Sequence, residues 1–387
     1  MMNYRKFGRL DWQGSALGFG CMRLPVIDGN PAKIDEEEAT RMIRHAIDAG
    51  VNYLDTAYPY HAGNSERLVG RVLKDGYREK VKLATKMPTW FIQNPADFDK
   101  YLNEQLDKLQ TDHIDVYLLH GLNKQRWQPL RDLGVREWAE KAIADGRIGH
   151  LGFSFHDQLD VFKGIVDDYD GWTMCQIQYN YMNTTEQAGT QGLKYAASKG
   201  LAVVVMEPLL GGRLVKPPQA IQELWNEAAV KRSPADWAFR WLWRQPEVSI
   251  VLSGMTTMRH VEENLASAAA PDYDVLSERE MALIGRVSAK YEELCPIPCT
   301  KCEYCLPCKN GVPIPRLFDI YNTGVMYDKA NYARRMYAAL TEAEKATACQ
   351  ACHDCEELCP QQIPISEWMA HLRAVFEEGK PLTGGPV

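Results

Sequence analysis

Three short segments, Asn52-Tyr53-Leu54-Asp55, Lys82-Leu83-Ala84-Thr85-Lys86 and Val116-Tyr117-Leu118-Leu119-His120, share the pattern that decides the fold. Each is a mostly apolar run of strand length that ends on a charged or polar side chain. Amphipathic stretches with helical spacing separate them along the chain. Strands that alternate with helices in this way predict an α/β protein with a parallel sheet, whose reactive groups lie at the carboxyl ends of the strands.

The same alternation continues outward from these segments and gives eight strand–helix units. Eight units over about 255 residues are the usual size of a (β/α)8 TIM barrel. The alternative, an open doubly wound sheet, would lead us to expect a Gly-x-Gly-x-x-Gly turn after the first strand, and Leu17-Gly18-Phe19-Gly20 is not one. The predicted strands are Ser15–Phe19, Tyr53–Asp55, Val81–Thr85, Val116–Leu119, Ile148–Phe153, Met174–Gln178, Ala202–Met206 and Ser249–Leu252.

Length and charge limit the classes of protein that the chain can represent. A chain of 387 residues predicts one large domain, residues 1–290, followed by a smaller one, residues 291–387. The net charge of −7 argues against nucleic-acid binding, which needs a basic face. No apolar run approaches the roughly 18 residues that span a bilayer, and the polar N-terminus lacks a signal-peptide core. We therefore expect a cytoplasmic protein with neither a nucleic-acid nor a membrane partner.

The polar residues at the strand ends form a chemically coherent set. Asp55, Lys86 and His120 close predicted strands two, three and four, and Tyr60 follows Asp55 by five residues. Reduction of a carbonyl needs an acid for the developing alkoxide, and a tyrosine phenol with a pKa near 10 is a weak one unaided. A neighbouring ammonium lowers that pKa. We therefore expect Tyr60 to act as the acid, Lys86 to assist it, Asp55 to hold Lys86, and His120 to orient the carbonyl oxygen.

These residues lie in segments that resemble the signatures of the aldo-keto reductases. The resemblance rests on Gly50-Val51-Asn52-Tyr53-Leu54-Asp55-Thr56-Ala57 followed by Tyr60, on Thr85-Lys86, and on Ile114-Asp115-Val116-Tyr117-Leu118-Leu119-His120. It extends over about residues 3–270. It implies an oxidoreductase that moves hydride between NADP(H) or NAD(H) and a small carbonyl or alcohol, with a catalytic tetrad of Asp55, Tyr60, Lys86 and His120.

The resemblance also implies a cofactor site along the later strands. Ser154 and its strand-six partner would hold the nicotinamide carboxamide, the strand-seven segment would lie under the ring, and Ser253 to Asn264 would hold the adenosine phosphate. The residues implied to contact the cofactor are Ser154, Gln176, Met206, Pro208, Leu209, Gly254, Met255, His260, Glu263 and Asn264.

The adenosine-phosphate segment departs from many relatives in its cations. Gly254-Met255 replaces the Lys-Ser pair that grips the 2′-phosphate, and His260 replaces a later arginine. Arg259, next to it, is the candidate substitute. Because no clear cationic clamp is present, the sequence leaves NADP(H) and NAD(H) open as the cofactor.

Nine of the eleven cysteines fall between Cys295 and Cys359, which makes the C-terminal segment a separate cysteine-rich module. Two motifs, Cys299-x2-Cys302-x2-Cys305-x2-Cys308 and Cys349-x2-Cys352-x2-Cys355-x3-Cys359-Pro360, carry eight of them. The second matches the run of bacterial two-cluster ferredoxins, in which the fourth cysteine crosses to the other cluster. The spacing predicts two [4Fe–4S] clusters, one held by Cys299, Cys302, Cys305 and Cys359, the other by Cys349, Cys352, Cys355 and Cys308. The first motif departs from that run, with two residues before its last cysteine and Lys309 after it, so Cys295, otherwise spare, stays open as a replacement for one ligand.

Zinc and disulfides are the alternatives for this module. Zinc ribbons favour Cys-x2-Cys pairs with longer spacers, and disulfide proteins are usually short and cysteine-dense throughout. A cysteine-rich tail on a long cysteine-poor body suits clusters better. Its helical filler, roughly Ile314–Tyr327 and Lys329–Leu340, predicts a mostly helical, ferredoxin-like domain, and a tail of this kind is found on a subgroup of aldo-keto reductases.

Three functions remain open at this point. The first is an enzyme that interconverts a carbonyl and an alcohol, with clusters for electron transfer or structure. In the second, the protein takes electrons from a nicotinamide and passes them through its clusters to a partner protein. The third is a non-catalytic barrel that senses the cofactor, against which the complete tetrad argues.

Overall fold

The structure is a computed structural model, and it describes residues 1–382 and residue 385. It divides into two compact units. The first comprises Met1–Gly211 and Ala235–Ser277, and the second comprises Gly212–Pro234 together with the chain from Glu278 onward. The predicted domain boundary at residue 290 falls inside a helix of the second unit, Glu278–Glu293, and stays a prediction.

The first unit is a closed barrel of eight parallel strands, which confirms the predicted (β/α)8 fold. All eight predicted strands are present, with ends that differ from prediction by up to three residues. The strands of the chain are β1 (Tyr4–Lys6), β2 (Gln13–Ser15), β3 (Leu17–Gly20), β4 (Tyr53–Asp55), β5 (Lys82–Met87), β6 (Ile114–Leu122), β7 (Ile148–Phe155), β8 (Met174–Gln178), β9 (Ala202–Met206) and β10 (Val248–Gly254).

Two helices of the barrel begin at residues whose side chains cap them. Asp35 accepts a hydrogen bond from the backbone N–H of Glu38, and Thr257 does the same for His260. In chain order the helices are α1 (Glu36–Asp48), α2 (Ser65–Val72), α3 (Ala96–Leu109), α4 (Lys124–Asp132), α5 (Val135–Ala144), α6 (Leu159–Asp167), α7 (Gly189–Ser198), α8 (Gln219–Asn226), α9 (Pro234–Trp243), α10 (Met258–Ala269), α11 (Glu278–Glu293), α12 (Ile314–Met326), α13 (Ala330–Ala338), α14 (Asp354–Glu357) and α15 (Ile365–Phe376).

A hairpin that was not predicted covers one end of the barrel. Strands β1 and β2 pair antiparallel, and the turn between them carries Phe7, which is fully buried in the barrel's core. Arg9 donates its backbone N–H to the carbonyl of Gly200, just before β9 begins. The amino ends of the strands are thereby closed, so the mouth of the barrel is at the carboxyl ends, where the predicted reactive residues lie.

The second unit is helical and has a hydrophobic core of its own. Helices α12, α13 and α15 contribute most of the buried side chains, among them Leu317, Phe318, Tyr337 and Leu372. Asn322 ties the preceding loop to α12, since its side chain bonds both the N–H and the carbonyl of Ile297, at 3.1 and 2.8 Å. The described part of this unit contains no strand, in keeping with the helical prediction.

No helix among the described residues has both the length and the apolar composition needed to cross a membrane.

Candidate active site and cysteine module

Neighbouring strands bring the four predicted catalytic residues to one side of the barrel mouth. Strands β4, β5 and β6 are adjacent, and they carry Asp55, Lys86 and His120 near their carboxyl ends. Tyr60 begins the short helical turn Tyr60–Gly63 after β4. The chain order of the strands is the order of the barrel, which is why the four side chains meet.

Lys86 is the centre of the set. Its Nζ lies 2.7 Å from each carboxylate oxygen of Asp55 and 2.8 Å from the carbonyl oxygen of Thr56. The hydroxyl of Tyr60 is 3.4 Å away. Since Lys86 is only 1% exposed, its ammonium and the carboxylate are paired away from water, where such an ion pair survives only with full hydrogen bonding. The arrangement therefore fixes a positive charge beside a phenol.

The pKa directions follow from burial and from this pair. Burial lowers the pKa of Lys86, but Asp55 and Tyr60 raise it, and the net direction is upward. Burial raises the pKa of Tyr60, while Lys86 lowers it and Asp55 raises it. Lys86 therefore acts on Tyr60 in the predicted direction, but the net pKa of the phenol is raised because burial outweighs it. Tyr60 keeps its proton at neutral pH.

His120 completes the set as a neutral imidazole. Burial lowers its pKa far below the usual value, and the charges of Lys86, His156 and Arg126 lower it further. Its ring stands edge-on to the Tyr60 ring, with centroids 6.2 Å apart. Its Nδ1 is buried and has no hydrogen-bond partner among the described residues. The ring centroid of Trp90 lies 5.0 Å from that of His120.

Tyr60 is held by a residue that sequence reasoning missed. His61 has a backbone φ of 53°, in the left-handed region, which turns the chain sharply after Tyr60. Its Nε2 accepts from the N–H of Leu24 at 3.2 Å, so Nδ1 carries the hydrogen and donates to the carbonyl of Pro31 at 2.8 Å. His61 thereby fastens the Tyr60 turn to the loop after β3. No motif in the sequence distinguishes it from other histidines.

A buried polar network behind Lys86 was also missed. Gln105 on α3 donates to the backbone carbonyl of Lys86 at 3.1 Å and to Glu66 at 2.5 Å, and it accepts from Tyr117 at 2.6 Å. Thr85 donates to the same Glu66 oxygen at 2.7 Å. Glu66 and Gln105 are fully buried. The network fixes the strand end that carries Lys86, and the polar side chains of Glu66 and Gln105 give no sign in the sequence that they are buried.

Ser154 and Gln176 are brought together across the next pair of strands. They are register partners on β7 and β8, and both are nearly buried. The Ser154 hydroxyl accepts the N–H of Gly121 at 2.7 Å. Gln176 makes a side-chain hydrogen bond that lowers the pKa of Asp55, which burial raises. The amide oxygen Oε1 of Gln176 is buried and has no hydrogen-bond partner among the described residues.

The remaining predicted cofactor residues follow β9 and β10. Met206 ends β9. Pro208 and Leu209 follow after Glu207, with Pro208 buried and Leu209 partly buried. Gly254 ends β10 and is exposed, whereas Met255 is fully buried.

Helix α10 carries the last three predicted cofactor residues in different environments. His260 is exposed, and its Nδ1 accepts from the N–H of Thr256 at 3.4 Å. Asn264 is only 6% exposed and donates to the Ser253 hydroxyl at 3.0 Å. Glu263 is bonded by Arg259 at 2.6 Å. Arg259, the candidate phosphate cation of the sequence analysis, is therefore already engaged.

In the second unit, cysteines from both motifs line one cavity. Its lining includes Cys299, Cys302, Cys305 and Cys359, and it is open to solvent on one side. Burial and the neighbouring thiols raise the pKa of Cys305 to about 11. The four cysteines are those that the spacing assigned to one cluster.

The other cysteines group around the second motif. Burial raises the pKa of Cys355 to about 11, with Cys349 and Cys352 contributing. Lys309, next to Cys308, pairs with Asp354 at 2.8 Å and interacts with Cys352, which places the two motifs side by side. All eleven cysteines are unbridged thiols. Within residues 1–382 and 385, no three His, Cys, Asp or Glu side chains form a group suited to a single metal ion.

Fold and site together define a barrel enzyme that carries a tyrosine, lysine, aspartate and histidine at the carboxyl ends of its strands. The sequence model of the Aldo/keto reductase family matches residues 16–288, and the chain belongs to that family of oxidoreductases.

Relatives and solved structures agree with this assignment. L-galactose dehydrogenase of Arabidopsis thaliana is 28% identical over 306 residues, which cover 72% of this chain and 93% of that protein. A probable aldo-keto reductase 1 of Glycine max is 24% identical over 308 residues, 71% of this chain and 86% of that one. The holo form of aldo-keto reductase AKR11C1 from Bacillus halodurans superposes with a TM-score of 0.63 at 27% identity, covering 74% of this chain and 96% of that chain.

Proposed function

We propose that the chain interconverts an aldehyde or ketone and the corresponding alcohol with NADP(H) or NAD(H), and that its C-terminal unit carries two [4Fe–4S] clusters. One observation carries the enzymatic part: the buried ammonium of Lys86 is bound by both oxygens of Asp55 and lies 3.4 Å from the Tyr60 hydroxyl. A protonated phenol with a fixed cation beside it is the acid that carbonyl reduction needs.

The residues at the barrel mouth fit a nicotinamide. Its carboxamide offers an N–H donor and a carbonyl acceptor. Gln176 has a buried Oε1 without a hydrogen-bond partner among the described residues, and Ser154 on the adjacent strand has a hydroxyl hydrogen to donate. Both would hold the carboxamide. The bound nicotinamide would supply hydride to the carbonyl carbon in reduction, or take it up in oxidation.

The chain's own residues then handle the oxygen and its proton. Tyr60 donates its proton to the carbonyl oxygen as negative charge develops there, and Lys86 stabilises the phenolate that remains. His120 is neutral, so it adds a hydrogen bond to the same oxygen without placing a second full charge beside Lys86. Asp55 keeps Lys86 in position. In the oxidising direction Tyr60 receives the proton from the alcohol.

Assay of the purified chain against a panel of aldehydes, ketones and alcohols with NADPH, NADH and their oxidised forms tests this proposal. We expect turnover of at least one pair of substrates with one of the two cofactors. A folded chain that binds either cofactor but turns over no carbonyl or alcohol would favour the sensor function and contradict the enzymatic one.

The cysteine cavity supports the cluster part of the proposal. A cubane takes one thiolate on each of four irons, so its ligands surround a volume rather than a point. Cys299, Cys302 and Cys305 from the first motif and Cys359 from the second line such a volume. Cys349, Cys352, Cys355 and Cys308 would hold the other cluster, in a domain of residues 291–387 that resembles a ferredoxin. Reduced thiols fit a cytoplasmic location.

Anaerobic purification followed by iron, acid-labile sulfide and zinc analysis tests the clusters. We expect about eight irons and eight sulfides for each chain, since two cubanes carry that many. Zinc without iron, from cells grown with iron supplied, would contradict the proposal. Passage of electrons from reduced nicotinamide to a one-electron acceptor would support the electron-transfer function, in which a redox partner protein binds this unit.

A further inference from the structure

One wall of the barrel mouth, next to the tetrad, is formed by Trp90, His120 and Arg126. The ring centroid of Trp90 lies 5.0 Å from that of His120 and 5.7 Å from the guanidinium carbon of Arg126. A cation at that distance over an indole is attracted to the ring. Trp90 is 39% exposed, so part of its surface is free to contact a bound molecule. The indole thus adjoins both a tetrad side chain and a positive charge.

Backbone hydrogen bonds fix this wall on both sides of His120. The hydroxyl of Thr89, the residue before Trp90, donates to the carbonyl of His120 at 2.6 Å. Arg126 is half-buried, and its Nη1 donates to the carbonyl of Gly121 at 2.7 Å. Gly121 has a φ of 62°, and a Cβ atom there would lie 2.9 Å from that Nη1, so glycine leaves room for the guanidinium. Arg126 is therefore fixed beside the residue that follows His120.

The guanidinium of Arg126 has no counter-ion among the residues that the structure describes, and only its Nη1 has a hydrogen-bond partner there. Arg131, on the same helix α4, instead pairs with Asp168 at 2.8 Å. An arginine stays protonated under all ordinary conditions. The remaining Nε and Nη2 of Arg126 form a side-by-side pair of N–H donors, which matches the two oxygens of a carboxylate.

The charge of Arg126 extends into the mouth of the barrel. Burial is the main cause that lowers the pKa of His120 and of His156, and Arg126 lowers both further. Glu207 raises the pKa of His156, but it forms no ion pair with Arg126 within the described part of the chain. Both imidazoles are therefore neutral at neutral pH, and Arg126 remains as a positive charge on this side of the mouth.

The position of this charge points to the kind of substrate. In the proposed function, the reacting carbonyl oxygen lies at Tyr60 and His120, and Trp90 and Arg126 come next along the wall. We infer that Arg126 binds a carboxylate of the substrate, so that the enzyme interconverts an oxo acid and the corresponding hydroxy acid; this inference rests on the proposed function. Trp90 would contact the carbon chain between the two polar ends. The carboxylate itself takes no part in the transfer of hydride or proton.

Paired substrates test the inference. The oxidation of NADPH and NADH by 4-oxobutanoate and 5-oxopentanoate is compared with that by butanal and pentanal, and glyceraldehyde 3-phosphate is compared with glyceraldehyde. We expect the wild-type chain to prefer each oxo acid over its uncharged partner by about 10-fold to 100-fold in kcat/KM, mainly through KM, as for charge-assisted hydrogen bonds.

Variants of helix α4 assign the preference to one side chain. Arg126→Met should bring the ratio of the two kcat/KM values to about one, and Arg126→Lys should recover part of the preference. Lys124→Met is the control, because it removes an exposed cation two residues earlier on the same helix. It should keep both the wild-type ratio and the wild-type turnover.

Four results would overturn the inference. If the wild-type chain reduced oxo acids and uncharged aldehydes equally well, the inference would be wrong while the proposed function stands. A preference that Arg126→Met retains would assign the carboxylate to another residue. A preference for glyceraldehyde 3-phosphate without one for the oxo acids would make the bound group a phosphate. A folded chain that reduces none of these aldehydes would overturn the inference, and the wider panel of carbonyls and alcohols then decides separately whether the proposed function fails as well.

Discussion

The barrel unit and the cysteine-rich unit hold their reactive groups in different ways. In the barrel, Lys86, Asp55 and Tyr60 satisfy one another through contacts of 2.7 to 3.4 Å in a buried setting. In the second unit, the thiols surround a cavity, and burial raises the pKa of Cys305 and of Cys355 to about 11. The barrel site is thus held together by contacts among its own side chains, whereas four cysteines of the second unit line a cavity as unbridged thiols.

This difference predicts that substitutions can change carbonyl turnover without changing cluster content, and the reverse. The largest expected loss of turnover comes from replacing Tyr60. Tyr60→Phe removes the proton donor, and general acid catalysis contributes about 10²-fold or more, so we expect turnover to fall by at least that factor. Cofactor affinity and iron content should stay near wild type. Steady-state kinetics, fluorescence titration and iron analysis measure the three quantities.

Tyr58→Phe is the matched control, because Tyr58 lies two residues away and bonds Glu104 rather than Lys86. It should retain turnover within a few-fold of wild type. A Tyr60→Phe variant with normal turnover would remove Tyr60 from the catalytic role.

Replacement of Lys86 should cause the next largest loss of turnover, and it should also change the pH dependence of the reaction rate. Reduction needs protonated Tyr60, so the rate falls as the pH rises through the pKa of Tyr60. Lys86 lowers that pKa, and Lys86→Met should therefore raise it and move the basic limb to higher pH. We also expect turnover to fall by about 10-fold or more, since Asp55 loses its buried partner.

Lys82 supplies the control for this prediction. It lies at the start of the same strand and pairs with Asp115 at 3.0 Å, away from Tyr60. In the Lys82→Met variant, the basic limb of the pH–rate profile should lie at the same pH as in the wild-type chain. If Lys86→Met showed the wild-type limb and rate, Lys86 would have only a structural role.

The fold could be predicted from sequence because each barrel strand is a short apolar run between helices. The polar strand ends Asp55, Lys86 and His120 followed from the same periodicity. What could not be predicted depends on contacts between distant residues. His61 carries no local signal in the sequence and is positioned by hydrogen bonds with Leu24 and Pro31, which lie next to it only in the folded barrel.

Three other features of the structure were not predicted from the sequence: the net pKa of Tyr60, the N-terminal hairpin and helix α15. The net pKa of Tyr60 is raised because the turn after β4 buries the phenol, and no sequence pattern gives that degree of desolvation. The N-terminal hairpin was missed because β1 and β2 are three residues each, too short for a clear alternation. Helix α15 was not predicted, although Ile365, Trp368 and Leu372 recur at helical spacing along it.

The smallest expected effect is about twofold and comes from replacing one cysteine of the second unit. It tests whether the cluster content can change while carbonyl turnover stays the same. Cys355→Ser removes one thiolate of a cluster, so iron and sulfide for each chain should fall by about half. Cys295→Ser is the control, because Cys295 belongs to neither set of four and its thiol contacts the carbonyl of Ile297. Carbonyl turnover with NADPH should stay within twofold in both variants, since the tetrad belongs to the other unit. If the clusters relay electrons, the Cys355→Ser variant should also lose the ability to reduce a one-electron acceptor. If carbonyl turnover fell in parallel with the iron content, the activity of the barrel would depend on the clusters, and the expected independence of the two units would be wrong.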